Sequence, residues 1–341
     1  MLDLLRGDRS LLNMFAREEE YREGLRDSFG RFPYYASEER NIREPTVSRY
    51  LNNRGMRVEY PDGHKFAVCL SHDVDVLCPN NYFRKELDSI RSFMVGDFRG
   101  TIDKLSRPRV VRPFLDSREI MALEERYGAR SSFYFIAVEG GPDRSYDIKD
   151  IKDDLKFIDG SGWEVGLHGS QAAHADLERM KKEKVLLEEA LGKEVVGYRN
   201  HFLRFKVPLT WNLLQQAGFK YDTTLGYADC AGFRGGMCHP FFPYDLGTGS
   251  TIDIREIPLV IMDASLFQNY MRLDVRGAWD LVKELIDVVE AQRGTMGILW
   301  HNTNMQGDTL RLYEKILQYC SERKAWMPTG KQLQQEVTIE I

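Results

Sequence analysis

The sequence predicts an α/β protein of parallel strand–helix repeats, and three observations carry that prediction. From about residue 115 to the end of the chain, short apolar runs of strand length alternate with amphipathic stretches of helix length. Glycines close several of the helical stretches, as at Gly128, Gly192 and Gly218. Ionisable residues then stand directly behind the apolar runs, first in Ser71-His72-Asp73-Val74-Asp75, which follows Phe66-Ala67-Val68-Cys69-Leu70. In α/β proteins the C-terminal end of the sheet is where chemistry collects.

Taken in order, residues 1 to about 60 are charge-rich, with a sparse apolar stripe at Leu11, Leu12, Phe15 and Tyr21 and an aromatic segment at Phe32-Pro33-Tyr34-Tyr35. They read as a helical appendage that packs on a main domain spanning 61–341, because so thin a stripe does not fold alone. After the first strand, the Arg- and Phe-rich stretch 79–113 reads as a helical insertion with a solvated basic face, or as a cover over a substrate. The helix from Asp116 to Tyr127 leads into the strand Ser132–Ala137, and a helix near 148–158 into Trp163–Leu167. Next come the helix Asp176–Leu191 with the strand Val195–Tyr198, and the helix Leu209–Ala217 with Phe219–Tyr221. The run Ile252–Ile257, the helix Arg276–Ala291 and Met296–Trp300 complete seven strands. No internal repeat interrupts this order.

Composition narrows the class. A chain of 341 residues accommodates one large domain with an appendage, and its formal charge of −5 argues against a nucleic-acid partner. Five cysteines without C-x-x-C spacing indicate neither a disulfide framework nor a cysteine zinc site. No stretch is long and apolar enough to span a membrane, and charge interrupts Met1–Asp8 before any leader core forms, so a soluble cytoplasmic protein is the expectation. An oligomeric state is not specified.

The strand ends carry the chemistry. The first gives Asp73 and Asp75, which alternation along a strand points the same way while His72 points oppositely. Two such carboxylates repel unless a cation lies between them or one holds a proton; in isolation they read equally well as solvated loop acids. The third strand gives His168, the fourth Arg199-Asn200-His201, the seventh His301-Asn302. Five of the seven histidines (His72, His168, His174, His201 and His301) lie at or just after such ends. In a barrel these ends converge on one mouth, and one Asp with two neutral imidazoles is a zinc shell that keeps a position open for water. His72, on the other face, reads as buried and hydrogen-bonded.

These residues resemble the polysaccharide deacetylases of the NodB-homology type, carbohydrate esterase family 4 and its relatives. The resemblance runs from about Lys65 to the C-terminus and implies an irregular (β/α)7 barrel that uses a divalent metal, commonly zinc with nickel, cobalt or manganese as alternatives, to remove acetyl groups from N-acylated or O-acylated sugars. Ser71–Asp75 is similar to the family's first motif, which implies Asp73 as general base and Asp75 as metal ligand. Val165-Gly166-Leu167-His168-Gly169-Ser170 resembles the second, with His168 as ligand. Arg199-Asn200-His201-Phe202 resembles the third, implying that Arg199 orients the base and that the Phe202 N–H faces the oxyanion. Leu299-Trp300-His301 resembles the last, with His301 as general acid.

Two departures bear on the third metal ligand. The family's second histidine falls four residues after the first, where this chain has Ala172, and the next histidine is His174. His201, standing where the family has proline, is the competing candidate and is favoured because it needs no insertion in the metal loop. Trp300, Asp222 and Arg234 are candidate substrate contacts: Trp300, like Tyr227, as a platform for a sugar face, and the other two beside a glycine-rich Gly232–Gly236 element bordering the groove. Ordinary core and loop roles are the alternatives for all of them. The expected partner is a carbohydrate or another N-acylated small molecule. Hydrolysis of a different linear or cyclic amide, or a binding protein that has lost its metal, are the competing functions.

Overall fold

The computed structural model describes residues 1–77 and 114–340; the stretch 79–113 and Cys78 therefore lie outside the described residues. Eight strands form the main sheet, numbered in chain order: β1 (Ala67–Val74), β2 (Ser132–Phe135), β3 (Glu164–Gly169), β4 (Gly197–Asn200), β5 (Tyr221–Asp222), β6 (Arg255–Glu256), β7 (Leu259–Met262) and β8 (Thr295–Leu299). Their spatial order is β7-β8-β1-β2-β3-β4-β5-β6, and every neighbouring pair is parallel. Among the described residues the end strands β7 and β6 do not pair with each other, so the barrel is open along that seam.

The βα architecture is the one expected, with one strand more than the sequence reading gave. β7 escaped that reading because only Ile257 and Pro258 separate it from β6, so no helical stretch announces it. The expected run 252–257 contracts to Arg255–Glu256 for the same reason: proline and the short connection end the pairing there. β1 moves in the opposite direction and runs on through Ser71-His72-Asp73-Val74, because β2 pairs with it from Ser71 to Val74, beyond the residues Ala67–Ser71 that pair with β8.

Alternation along the strands divides two environments. Val68, Leu70 and Val74 of β1 join a large buried cluster with Phe133, Phe135, Val165, Leu167 and the helices. Ala67 and Cys69 instead join a smaller cluster with Tyr134, Tyr221 and Leu333. Ser71 and Asp73 share the parity of that second set, which puts Asp73 on the inward face. Glycines make room for the tyrosines there: a Cβ on Gly197 would lie 2.2 Å from the Tyr221 hydroxyl, and one on Gly166 2.5 Å from the Tyr134 ring.

The helices read from the sequence recur within a residue or two, except that the one near 148–158 is a tight turn Ile148–Ile151 followed by a helix Lys152–Gly160; the helix Gly307–Glu322 is additional. Ser117–Glu125 starts with a reciprocal box between Asp116 and Glu119, Leu177–Leu191 starts on Asp176 and ends on Gly192 at φ +81, and Val275–Ala291 starts on Asp274. Residues 1–60 contribute Leu5, Phe15, Val47, Leu51 and Met56 to the large cluster, and Arg57–Glu59 pairs antiparallel with Thr338–Glu340. A buried ion network ties this segment to the barrel: Arg17 meets Glu20 at 2.7 Å, and Glu20 meets Arg234 at 2.5 Å. Among the described residues no helix is long and apolar enough to cross a membrane, and Cys69, Cys230, Cys238 and Cys320 are free thiols.

Candidate metal centre

Four strand ends deliver polar groups to one place. β1 supplies Asp73 and, one residue beyond its end, Asp75; β3 supplies His168; His201 follows β4 directly; and His301 stands two residues beyond β8. One ligand atom from each of Asp75, His168 and His201 lies within 4.8 Å of the others. His168 Nε2 is 3.3 Å from Asp75 Oδ1 and 3.6 Å from Asp73 Oδ2, so the two carboxylates do face the same way. His201 Nε2 stands 3.6 Å from Asp75 Oδ1, and His301 Nε2 stands 3.9 Å from Asp75 Oδ2.

Behind these groups a second layer fixes each ring. His168 Nδ1 is held 3.0 Å from the Arg199 carbonyl, His201 Nδ1 2.7 Å from Asp143, and His301 Nδ1 2.6 Å from Asp263. A proton on each of those Nδ1 atoms leaves Nε2 facing the Asp75 carboxylate, the arrangement that orients imidazole ligands and acids. Asp263 is itself anchored, accepting from the His301 and Ala264 N–H groups and the Asn304 amide. Arg199 is fully buried; it donates to Ser71 and Thr223, and its Nη1 lies 3.9 Å from Asp73 Oδ1.

The residues fit a bound cation. Among the described residues Asp75 Oδ1 and His168 Nε2 are buried without a hydrogen-bond partner and lie 3.3 Å apart, while Asp73 Oδ1, equally unpartnered, faces Arg199 Nη1 at 3.9 Å. Unsatisfied carboxylate and imidazole lone pairs gathered this way are costly unless something positive sits between them. The local pKa values express the same demand. Burial pushes His168 down, yet Asp73 and Asp75 outweigh it and raise its pKa above the usual histidine value. Burial and the adjacent His168 charge lower His201. For His301 burial is overridden by Asp263 together with Asp73 and Asp75, and its pKa climbs to about 10.

The structure gathers His201 and leaves His174 out. The His174 ring hydrogen-bonds the Gln171 carbonyl, and its own carbonyl accepts from Thr210. Phe202, at the mouth, is 37 % exposed and adopts φ +60. His72 is buried on the opposite face between Glu124 and the Trp300 carbonyl, as read from its parity.

The three substrate-contact candidates are corrected. Trp300 is fully buried, packed against Tyr313 and Phe267, and offers no face to a sugar; Tyr227 is buried too. Asp222 accepts from Thr224 and is paired with the buried Glu256, whose pKa burial and the neighbouring carboxylate push well above its ordinary value. Arg234 is consumed by Glu20 and the Gly226 carbonyl, and the adjoining Gly232, Gly235 and Gly236 pack on Ile42, Arg17, Met14 and Val47 rather than on a groove. Asp143 and Asp263 escaped the sequence reading. Asp263 had a signal, since it ends the apolar run Leu259–Met262 just as Asp73 ends its own; Asp143, in the Gly140-Gly141-Pro142 loop, had none.

Comparison with known proteins sets this centre in a fold. The barrel is the one seen in polysaccharide deacetylases of the NodB-homology type. A candidate polysaccharide deacetylase from Mycobacterium smegmatis superposes with a TM-score of 0.53 over 81% of this chain and 91% of its own, at 18% identity. A polysaccharide deacetylase from Bacillus cereus gives 0.41 over 77% and 91% at 15% identity, and a carbohydrate esterase family 4 pseudoenzyme from Bacillus anthracis gives 0.42 over 81% and 67% at 11% identity. At these identities the first likeness establishes a shared fold. No protein-family model and no curated protein matches the sequence.

Proposed function

We propose that this chain is a metal-dependent hydrolase that removes an acetyl or other acyl group from an N-acylated sugar. The observation that carries the reading is the convergence of Asp75, His168 and His201 within 4.8 Å, with Asp73 and His301 beside them. Three protein ligands match the zinc sites that retain an open position, and nickel, cobalt or manganese suit the same donors. A bound divalent ion would supply Lewis acidity toward water and the acyl carbonyl.

The chain's own groups divide the remaining work. Asp73, held near the buried Arg199, accepts the proton of the attacking water. The Phe202 N–H, at the turn after His201, is the proposed donor to the developing oxyanion. His301, whose Nδ1 is held by Asp263, delivers its Nε2 proton to the departing amine, which leaves poorly without one. Opposed base and acid are what amide cleavage requires.

The test is metal analysis of the purified protein and of Asp75→Ala and His168→Ala variants, with acetate release measured on N-acetylglucosamine oligomers. The expected result is one equivalent of metal in the parent protein, its loss in both variants, and acetate release by the parent alone. A parent protein that takes up no divalent ion under any condition rules the reading out.

A further inference from the structure

His201 is restrained at Nδ1 by Asp143, but a single hydrogen bond leaves the plane of an imidazole free to tilt about it. The plane is set by stacking: the Phe202 ring lies 4.2 Å from the His201 ring at 30°, and the Phe29 ring lies 4.7 Å from Phe202 at 16°. Phe202 and Leu203 have φ of +60 and +52, two successive left-handed residues with side chains, a conformation that persists only where the surroundings enforce it. The enforcing contact comes from Arg31, buried and 171 residues earlier in the chain, whose Nη1 donates to the Phe202 carbonyl at 2.9 Å.

Arg31 is itself built into a fixed turn. Its Nε pairs with Asp27 at 2.6 Å, and the other Asp27 oxygen accepts from the Phe29 and Arg31 N–H groups. Gly30, at φ +75, closes the loop through its N–H to the Asp27 carbonyl. Arg31 Nη2 donates to the Tyr270 hydroxyl at 2.7 Å. Tyr270 follows the short helix Asp263–Phe267, whose first residue holds His301. One guanidinium thus joins the turn behind β4, which carries His201, to the connection behind β7, which carries the partner of His301.

We propose that Arg31 and Phe29, in the segment ahead of the barrel, are positioning residues of the metal centre: they lock the left-handed Phe202 turn and, through the Phe202 ring, the orientation of His201. The effect on metal affinity rests on the hydrolase reading above; the effect on the His201 ring does not. Partners that orient a metal-binding histidine without touching the metal typically alter affinity by about 10-fold to 100-fold.

The experiment uses the full chain carrying Arg31→Ala, Phe29→Ala or Phe29→Tyr, each checked for parental far-ultraviolet circular dichroism. Zinc affinity is read by calorimetry, and the His201 ring-proton resonances are recorded in metal-free protein, assigned with His201→Gln. Both alanine variants are expected to bind zinc roughly 10-fold more weakly and to lose the ring-current displacement of the His201 resonances, whereas Phe29→Tyr retains both. Parental zinc affinity in both alanine variants, or unmoved His201 resonances in them, overturns the proposal. If the parent protein binds no zinc, the hydrolase reading fails on its own and the resonances alone decide: displacement lost upholds the positioning role, displacement retained refutes it.

Discussion

Asp73 and Asp75 stand on the same side of a strand end, both within 3.6 Å of His168 Nε2, so their mutual repulsion is built into the backbone. What distinguishes their roles is the company each keeps. Asp75 lies within reach of three imidazoles, whereas Asp73 faces Arg199. The proposal of His201 rather than His174 as third ligand is tested at this scale: His201→Ala is expected to lose bound zinc, and His174→Ala to keep one equivalent, by metal analysis after dialysis. The proposed acid, His301, is equally local. Asp263 is a main source of the raised His301 pKa, so Asp263→Asn should move the midpoint of the alkaline decline in kcat to lower pH, because less negative charge means an earlier loss of the proton. At neutral pH the same variant should lose activity on the order of 100-fold, as measured by acetate release.

At the scale of elements, the site depends on how closely the strands approach. Gly197 opens β4 with its Cα against Tyr221, whose hydroxyl bonds Tyr134 at 2.9 Å inside the barrel. A methyl group there has no space, and the opposing hydroxyl pair cannot retreat without losing its partner. Gly197→Ala is therefore expected to destabilise the protein by about 1–3 kcal/mol, read as a lower denaturant midpoint at an unchanged slope. The turns after the strands are the other determinant. His201 can reach Asp75 because the chain turns sharply at Phe202 and Leu203 directly behind β4, whereas His174 sits in the single turn Ala173–Ala175 with its ring directed to Gln171. Where the second motif lacks a histidine at i to i+4, it is a histidine from the next strand end, His201, that stands beside Asp75.

Over the whole molecule, the segment ahead of the barrel and the barrel share one apolar core, tied by the Arg17–Glu20–Arg234 network. Burial of ionisable groups on this scale gives stability a pH dependence. His239 is fully buried with Nε2 unpartnered, and desolvation lowers its pKa from 6.5 to about 4. The unfolded chain takes up a proton at this residue as pH falls through 6.5, and the folded protein does so only near pH 4. Its contribution is thus intact above pH 6.5 and is lost between 6.5 and about 4, amounting to about 3 kcal/mol. In His239→Gln the acid-side fall in unfolding free energy over that interval should be smaller by about this amount, measured by denaturant titration of metal-free protein at pH 7 and pH 4.5.

The division between what was legible in the sequence and what was not follows from range. Apolar periodicity, helix caps and an ionisable residue closing an apolar run are encoded within about ten residues, so the βα order and the strand-end placing of Asp73, Asp75, His168, His201 and His301 could be read directly. By itself the sequence determined that polar groups would line one mouth. Only the tertiary structure decided which of them meet, because that depends on approaches between distant segments: Asp143 reaches His201 across 58 residues, and Asp263 reaches His301 across 38. The same long-range packing buried Trp300, Asp222 and Arg234, whose residue types suggested contact with a substrate. A side chain's chemistry is fixed by its type, but whether it faces solvent or the core is fixed by what folds over it.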